Sequence, residues 1–302
     1  MTGPAPAPAP GTTPAPSQGE PGRAPTRDGR TLHHLLRPGP AEAADRPTVV
    51  LEGGLACSRS YWAPVQERLA PFVTTVVYDR SGLGSSAPDP APRTLARLAA
   101  DLGDLLAHLG PRPYVLAGHS WGGPVVRLAA AARPERIAGV VLLDPTEETC
   151  DLVFSPAMRR QERFGQRASA ALARAGLLAH AYRGLLAALP PDAAADMRRE
   201  GFTPAAMRTR AAELASVVPD LTGLLHHPPE LPGIPLTVVS AGRTSVGMGH
   251  KVRAAATASH AHRAGLASRG RHVTVGHGDH MLPLTAPGAV AEEILRLAAP
   301  PG

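Results

Sequence analysis

A serine flanked by small residues is the first group in this chain whose surroundings could give it chemistry. Ser120 lies in the segment Gly-His-Ser-Trp-Gly, residues 118–122, which follows the apolar run 114–117 and precedes a pattern of helical spacing. A sharp turn from a strand into a helix exposes such a serine hydroxyl, and only small neighbours avoid clashes there. The first amides of the helix, beginning with Trp121, would face negative charge that develops on a bound carbonyl group. This spacing predicts that Ser120 is a nucleophile for acyl transfer.

A nucleophilic serine needs a base, and three histidines near the end of the chain are candidates: His272, His277 and His280. A metal site built from the same histidines is disfavoured, because no set of thiolates or carboxylates at ligand spacing accompanies them. The two cysteines, Cys57 and Cys150, define neither a disulfide framework nor a metal site. We therefore expect no metal and no cofactor.

The elements that must position these groups alternate between strand and helix patterns. Short apolar, β-branched runs predict strands, and longer runs with apolar residues three and four positions apart predict helices. The predicted strands are 31–36, 48–52, 74–80, 114–118, 137–144, 236–241 and 272–275, and the predicted helices are 60–70, 94–109, 122–132 and 287–299. Near-continuous apolar strands between helices are typical of a mostly parallel sheet covered on both faces. The predicted fold class is α/β, with a doubly wound sheet.

Residues 146 to about 230 interrupt this alternation. The stretch is rich in Ala, Leu and Arg with helical periodicity, and it contains no convincing strand. Because it lies between a predicted strand ending at Asp144 and one beginning near Leu236, we expect a helical cap over the carboxyl ends of the strands, where open α/β sheets bind ligands. The alternative is a second, independent helical domain. The predicted organisation is one domain over residues 30–302 with this cap inserted.

The remaining composition bears on class and location. Residues 1–29 repeat Pro-Ala units without an apolar stretch that could form a core or a secretory signal, and we predict a disordered tail. The net charge is +6, but the arginines are scattered and no basic stripe with interleaved aromatics occurs, so no nucleic-acid partner is expected. No apolar run reaches membrane-spanning length. These features favour a cytoplasmic protein that acts on a small molecule.

Several segments, in their order and spacing, resemble those of the α/β-hydrolase superfamily. They are LEGGLACS (51–58), VVYDRSGLGSS (76–86), AGHSWGG (117–123), GVVLLDP (139–145) and GDHMLPL (278–284). The resemblance covers roughly residues 30–300, except for the stretch expected to form the cap. It implies an α/β-hydrolase fold, and it is specific for the superfamily rather than for a substrate.

The resemblance also implies partners for the serine, in the chain order nucleophile, acid, histidine. His280 is similar to the family's catalytic histidine, because the run Met-Leu-Pro-Leu at 281–284 and Pro287 follow it and lead into the final helix. His272 and His277 are interpreted as structural.

The acid departs from the commoner family pattern. Many members carry it in the loop that here reads GRTSVG, residues 242–247, which has no carboxylate. Other members carry it one strand earlier, and Asp144 lies there. It would hold the histidine ring in the productive tautomer and stabilise the imidazolium. Glu147 and Glu148 are nearby alternatives, whereas Asp279 is disfavoured by its adjacency to the histidine.

Two backbone amides are implied as donors to the oxyanion. One is Trp121, directly after the nucleophile. The other is Leu55, which follows Gly53-Gly54 where the family usually has His-Gly. Because the donors belong to the backbone, loss of the usual histidine leaves them intact.

The function that these features favour is hydrolysis of a small apolar ester or related acyl compound by Ser120, His280 and Asp144. Hydrolysis of an amide, lactone or thioester and cleavage of a C–C bond stay open at this point. An Asp in place of the serine would indicate haloalkane dehalogenase or epoxide hydrolase chemistry, which the serine disfavours. The alternative of a different class is a ligand-binding protein on the same fold with weak or absent catalysis.

Overall fold

The computed structural model describes residues 16–299, and one sheet runs through this part of the chain. Eight strands build it within the described residues. Their bounds are Glu20–Pro25 (β1), Thr31–Arg37 (β2), Thr48–Glu52 (β3), Thr75–Tyr78 (β4), Tyr114–His119 (β5), Ile137–Leu143 (β6), Leu236–Ala241 (β7) and Gly270–Val275 (β8). The strand order is β1-β2-β4-β3-β5-β6-β7-β8. β1 and β2 pair antiparallel to their neighbours, and the six strands from β3 to β8 are mutually parallel.

The register of the parallel strands brings distant loops together. Glu52 at the end of β3 pairs with Gly118 in β5, and His119 pairs with Leu143 at the end of β6. The carboxyl ends of these strands therefore meet at one edge of the sheet, where open α/β sheets bind ligands.

Helices cover both faces of this sheet, as the alternating pattern predicts. The helices of the described residues are Ala63–Leu69 (α1), Leu95–His108 (α2), Gly122–Ala132 (α3), Pro156–Arg174 (α4), Leu178–Ala181 (α5), Arg183–Ala187 (α6), Pro191–Glu200 (α7), Pro204–His226 (α8), His250–Gly265 (α9), Leu282–Thr285 (α10) and Pro287–Ala298 (α11). Successive strand residues point to opposite faces. Val50 accordingly packs in the core with α2 and α3, while Val49 and Leu51 pack with α1 and α11. The α/β fold with a mostly parallel sheet agrees with the prediction.

The segment between β6 and β7 consists of α4 to α8 and a short 3-10 turn. Residues 144–235, all of which the structure describes, contain no strand. α4 packs against α8, and side chains from both helices line the same cavity as Ser120. This helical segment thus contributes to the surroundings of the predicted nucleophile.

The predicted disordered tail over residues 1–29 is wrong for its second half. Residues 1–15 lie outside the described part of the chain, but Glu20–Pro25 forms β1 and pairs antiparallel with β2 along its whole length. The two prolines of β1 are tolerated because an edge strand needs hydrogen bonds on one side only. Gly22 lets the two strands approach closely, since a Cβ at this position would lie 2.4 Å from the His34 ring and would force that side chain to move. Backbone pairing, which composition does not report, orders this segment.

Two further elements differ from the sequence prediction. α9, at His250–Gly265, lies in a stretch for which no element is predicted, because its buried face includes Arg253, His260 and Arg263 and so lacks an apolar periodicity. The predicted helix at 60–70 begins as a 3-10 turn at Arg59–Trp62 and becomes α-helical only at Ala63. None of the helices among the described residues is long and apolar enough to cross a lipid bilayer.

Candidate active site

Ser120 occupies a strained turn between β5 and α3. Its φ of +51° lies in the left-handed region, which a residue with a Cβ adopts only when the surrounding structure imposes it. The neighbouring glycines permit the turn. A Cβ on Gly118 would lie 2.4 Å from the carbonyl oxygen of Gly122, and a Cβ on Gly122 would lie 2.6 Å from that of Gly53. The strand-turn-helix geometry that the spacing predicts is therefore present.

His280 and Asp144 meet beside this turn. The His280 Nδ1 lies 2.7 Å from Asp144 Oδ2, although the two residues are 136 positions apart in sequence. Asp144 follows β6, whose last residue pairs with the end of β5, and His280 lies in the loop after β8. Ser120, His280 and Asp144 all line one cavity. The topology thus brings the three predicted residues to the same edge of the sheet.

Asp144 is buried and carries a second cationic partner. Its φ is +43°, and its Oδ1 accepts from the Ala241 amide at 3.0 Å. The guanidinium of Arg253 on α9 donates to both carboxylate oxygens, at 2.8 Å to Oδ2. Burial by itself would raise the pKa of Asp144, but the hydrogen bonds from His280 and Arg253 outweigh it and hold the pKa well below its ordinary value. The carboxylate is therefore ionised.

The alternative carboxylates have other partners. Glu147 and Glu148 form buried ion pairs with Arg127 on α3 and Arg263 on α9. Burial raises the pKa of Glu147. Among these residues and Asp144, only Asp144 hydrogen-bonds to the His280 ring within residues 16–299. The two glutamates instead tie the segment after β6 to the helices on either side.

The remaining histidines near the C-terminus lie elsewhere. His272 bonds the Ser240 hydroxyl at 2.8 Å, and His277 is exposed. Asp279 accepts hydrogen bonds from the Met281 amide and a threonine hydroxyl. No group of three His, Cys, Asp or Glu side chains within the described residues is close enough to hold a metal ion.

His119, which sequence reasoning did not single out, holds the backbone of His280. Its Nε2 lies 2.6 Å from the His280 carbonyl oxygen, and because a carbonyl can only accept, the ring nitrogen donates. Burial lowers the pKa of His119 to about 3, so the ring is neutral. Its position directly before Ser120 could have signalled this role, since the ends of β5 and β8 meet at the same sheet edge.

The two residues predicted to supply oxyanion donors line the same cavity as the nucleophile. Leu55 and Trp121 line the cavity with Ser120, and a Cβ on Gly54 would lie 3.3 Å from the Ser120 Cβ. Among the hydrogen bonds of the described residues, none uses the backbone N–H of Leu55 or Trp121. Neither N–H group is therefore committed to an acceptor in residues 16–299.

The loop that contains Leu55 is held by buried ion pairs. Arg80 donates to the carbonyl oxygens of Gly53 and Gly54, at 2.7 and 2.6 Å. Arg80 also pairs with Glu213 of α8, whose carboxylate accepts from the Ala56 amide at 3.0 Å. The side chains of Arg80 and Glu213 are 2% and 0% exposed, so the pair is shielded from water. A residue of the helical segment therefore sets the geometry of this loop.

The cavity that these residues share has a volume of about 750 Å³. Most of its lining is apolar, and much of it comes from the helical segment, including Phe164, Leu178, Leu185, Met197, Phe202 and Met207. Cys57 also lines the cavity, and burial raises the pKa of its thiol to about 11, so it is protonated at neutral pH. Cys57 and Cys150 are both free thiols.

Comparison with known proteins identifies the class to which this fold and site belong. A sequence model of the alpha/beta hydrolase family matches residues 49–293, most of the chain, and the chain belongs to that family. Family membership supports a hydrolase-type enzyme.

Individual relatives are more distant. The protein named "Putative carbamate hydrolase RutD" from Caulobacter sp. strain K31 is 34% identical over 114 residues, which is 37% of this chain and 42% of that protein. "Uncharacterized protein YqjL" from Bacillus subtilis strain 168 is 33% identical over 127 residues, 41% of this chain and 48% of that protein. The chain thus spans less than half the length of the curated relatives it matches.

A solved structure extends the likeness over nearly the whole chain. A thermophilic esterase from Thermogutta terrifontis superposes with a TM-score of 0.65 at 21% identity, covering 93% of this chain and 100% of that chain. At this identity the likeness shows the fold.

Proposed function

We propose that this protein is a serine hydrolase that acts on a small, largely apolar ester or related acyl compound. The observation that carries the proposal is the 2.7 Å contact between His280 Nδ1 and Asp144 Oδ2, in a cavity that also contains Ser120 on its strained turn. A nucleophile, a base and an ionised acid that orients the base form the arrangement that acyl transfer requires.

Each residue has a defined part in the proposed reaction. The Ser120 oxygen attacks the substrate carbonyl carbon, and His280 Nε2 takes the serine proton and delivers it to the leaving group. Asp144 accepts a hydrogen bond from the Nδ1–H of His280, which holds the tautomer whose Nε2 lone pair is free to act as the base. The resulting acyl-enzyme is released when His280 activates a water molecule for attack on the acyl carbon.

The oxyanion of each tetrahedral intermediate would be bound by backbone N–H groups. The N–H groups of Leu55 and Trp121 have no acceptor among the described residues, and both residues line the cavity that contains Ser120. Donors arranged before the reaction stabilise developing charge without reorganisation, and the loss of one typically costs about a hundred- to a thousandfold in rate.

The bond that is cleaved is proposed from the site and its surroundings. A serine nucleophile forms an acyl-enzyme with esters, and the apolar lining suits an apolar acyl or alcohol group. The name of the Caulobacter relative points to carbamates, whose carbonyl carbon is open to the same attack. We therefore propose carboxylic esters as the substrate class and carbamates as the second candidate class.

Labelling with a fluorophosphonate probe tests the nucleophile. We expect the wild-type protein to be labelled and the Ser120→Ala protein not to be. Thr146→Ala, which removes another hydroxyl residue lining the cavity, is the matched control and should keep the label. Absence of labelling in a folded wild-type protein would refute the proposal and favour a ligand-binding protein, in which the pairing of Arg253 with Asp144 keeps the acid from acting.

A further inference from the structure

One wall of the cavity carries charged side chains that the proposed chemistry does not use. Arg159 and Glu162 lie on α4, Arg210 lies on α8, and all three line the cavity that contains Ser120. Only 14% of the Arg159 side chain is exposed. Charged groups in an apolar cavity are costly unless they have partners. The hydrogen-bond and ion-pair partners of these three side chains therefore indicate what this wall can bind.

Both arginines have hydrogen-bond donors for which residues 16–299 supply no acceptor. Arg159 donates from its two terminal nitrogens to Glu162, at 2.7 and 2.8 Å, while its buried Nε has no acceptor among the described residues. Arg210 donates to the side-chain oxygen of Gln166 and forms no ion pair with a carboxylate within residues 16–299. Burial lowers the pKa of Arg159 and raises that of Glu162. The ion pair between Arg159 and Glu162 therefore does not fully compensate the free-energy cost of removing both charged groups from water.

The charge on the wall selects the kind of group that it can bind. Two guanidiniums and one carboxylate leave a single net positive charge, which a monoanion balances. A guanidinium has five N–H donors, so the Nε–H of Arg159 and the donors of Arg210 beyond the one to Gln166 are left for the oxygens of a carboxylate. The other charged groups that line the cavity, Asp144 and Glu147, are already paired with arginines outside it.

The rest of the cavity separates this wall chemically from the nucleophile. Ser120 and His280 come from the carboxyl edge of the sheet, whereas Arg159 and Arg210 come from helices of the segment between β6 and β7. Many of the other lining side chains are apolar, among them Leu55, Val153, Met158, Phe202, Met207 and Leu214. A substrate that contacts both Ser120 and this wall would combine an ester, an apolar part and an anionic group.

We infer that the substrate is an ester whose apolar acyl chain ends in a carboxylate, and that Arg159 and Arg210 bind this carboxylate. The inference rests on the proposed function, since it assigns the second end of the same substrate. Glu162 limits the wall to one net positive charge and so favours a monoanion.

A pair of esters of equal chain length tests the inference. The mono-4-nitrophenyl ester of adipic acid carries the terminal carboxylate, and 4-nitrophenyl hexanoate lacks it. We expect the wild-type protein to hydrolyse the adipyl ester with the higher kcat/KM, through a lower KM. Arg159→Met and Arg210→Met should each reduce the adipyl-to-hexanoyl ratio of kcat/KM about tenfold, the typical effect of one charge-assisted hydrogen bond.

Two further variants separate binding of the carboxylate from a general effect of charge. Arg163→Met removes an exposed arginine of α4 that does not line the cavity, and the ratio should stay unchanged. Glu162→Gln should raise the ratio, because it removes the competing carboxylate. A wild-type ratio of one or less, or an equal fall in the ratio with Arg163→Met, would overturn the inference.

Binding measurements keep this inference distinct from the proposed function. Calorimetry on the Ser120→Ala protein compares monomethyl adipate with methyl hexanoate without any turnover. Tighter binding of monomethyl adipate would support the carboxylate site if it is lost when Arg159→Met is combined with Ser120→Ala. This support would hold even if the wild-type protein hydrolysed neither nitrophenyl ester. Failure to hydrolyse either ester would overturn the proposed function alone. Equal affinities for the two methyl esters would overturn the inference.

Discussion

Asp144 and Arg253 form a buried, two-pronged ion pair at the point where the acid also contacts His280. The guanidinium donates to both carboxylate oxygens, and the two side chains are 0% and 7% exposed. Arg253 comes from α9, directly after the loop that lacks the carboxylate found in many family members. The carboxylate of Asp144 therefore interacts at the same time with a permanent cation and with the histidine ring.

Removal of Arg253 should change the pH dependence of the reaction. The hydrogen bonds from Arg253 help to hold the pKa of Asp144 below its ordinary value, so without the guanidinium the carboxyl becomes protonated at higher pH and no longer orients the His280 ring. We expect the acidic limb of kcat/KM to move up by about one pH unit in Arg253→Met, as is typical for the loss of a nearby charge. The limb should stay in place in Arg253→Lys, which keeps the positive charge.

Two other titratable rings lie near Asp144 and His280. His260 of α9 lies 3.9 Å from Asp144 Oδ1, and the His119 ring is centred 5.0 Å from the His280 ring. Burial keeps both rings neutral above pH 5. Arg263→Met is the matched control, because Arg263 lies buried on the same helix but pairs with glutamates. An equal shift in this control would mean that the effect is structural.

The choice among carboxylates predicts unequal effects of two isosteric substitutions. Asp144→Asn should lower kcat by roughly three to four orders of magnitude, because the amide favours the wrong tautomer of His280. Glu147→Gln should lower kcat far less, since Glu147 contacts arginines and not the ring. Initial rates on 4-nitrophenyl esters, with circular dichroism as a check of folding, measure both. Near-wild-type kcat in Asp144→Asn would contradict the assignment.

Glu213 should affect both stability and catalysis, because it joins α8 to the loop of Leu55. Glu213→Ala leaves the buried Arg80 without one of its carboxylates, and loss of one partner from a buried pair costs about 3–5 kcal/mol. Urea unfolding measures this change. Glu67→Ala, at an exposed position on α1, should change the unfolding free energy by less than about 0.5 kcal/mol. At low urea the folded Glu213→Ala protein should show a reduced kcat, and an unchanged kcat would mean that the loop is held without α8.

Two buried neutral imidazoles predict a loss of stability in mild acid. Burial lowers the pKa of His119 to about 3 and of His260 to about 4, whereas both titrate near 6.5 when unfolded. Between these values the unfolded chain binds more protons, so the unfolding free energy decreases as the pH falls from about 6.5 to 4, by about 1.4 kcal/mol per pH unit for each ring. Urea titrations across this range check the slope. His260→Gln should flatten it, and a pH-independent unfolding free energy would show that the rings protonate without cost.

Local pattern was sufficient for much of the fold. The bounds of β5 and α3 follow from an apolar run and from helical spacing, and the turn at Ser120 follows from the glycines around it, because backbone strain and clashes are local. The choice of His280 among the C-terminal histidines is a prediction from the family resemblance of the segment that follows it, and the structure places its ring beside Asp144. By contrast, β1 depends on pairing with β2, a non-local contact that a Pro-rich composition conceals.

The electrostatics of the site depended on tertiary structure. Arg253 reaches Asp144 across 109 positions of sequence, and Glu213 reaches Ala56 across 157, so no local pattern reports either contact. Loss of water makes such contacts decisive, since a buried charge has only the partners that the fold brings to it. Residue types and their spacing thus indicated which groups could react, while the packing of distant helices decided which carboxylate faces His280 and what shares its charge.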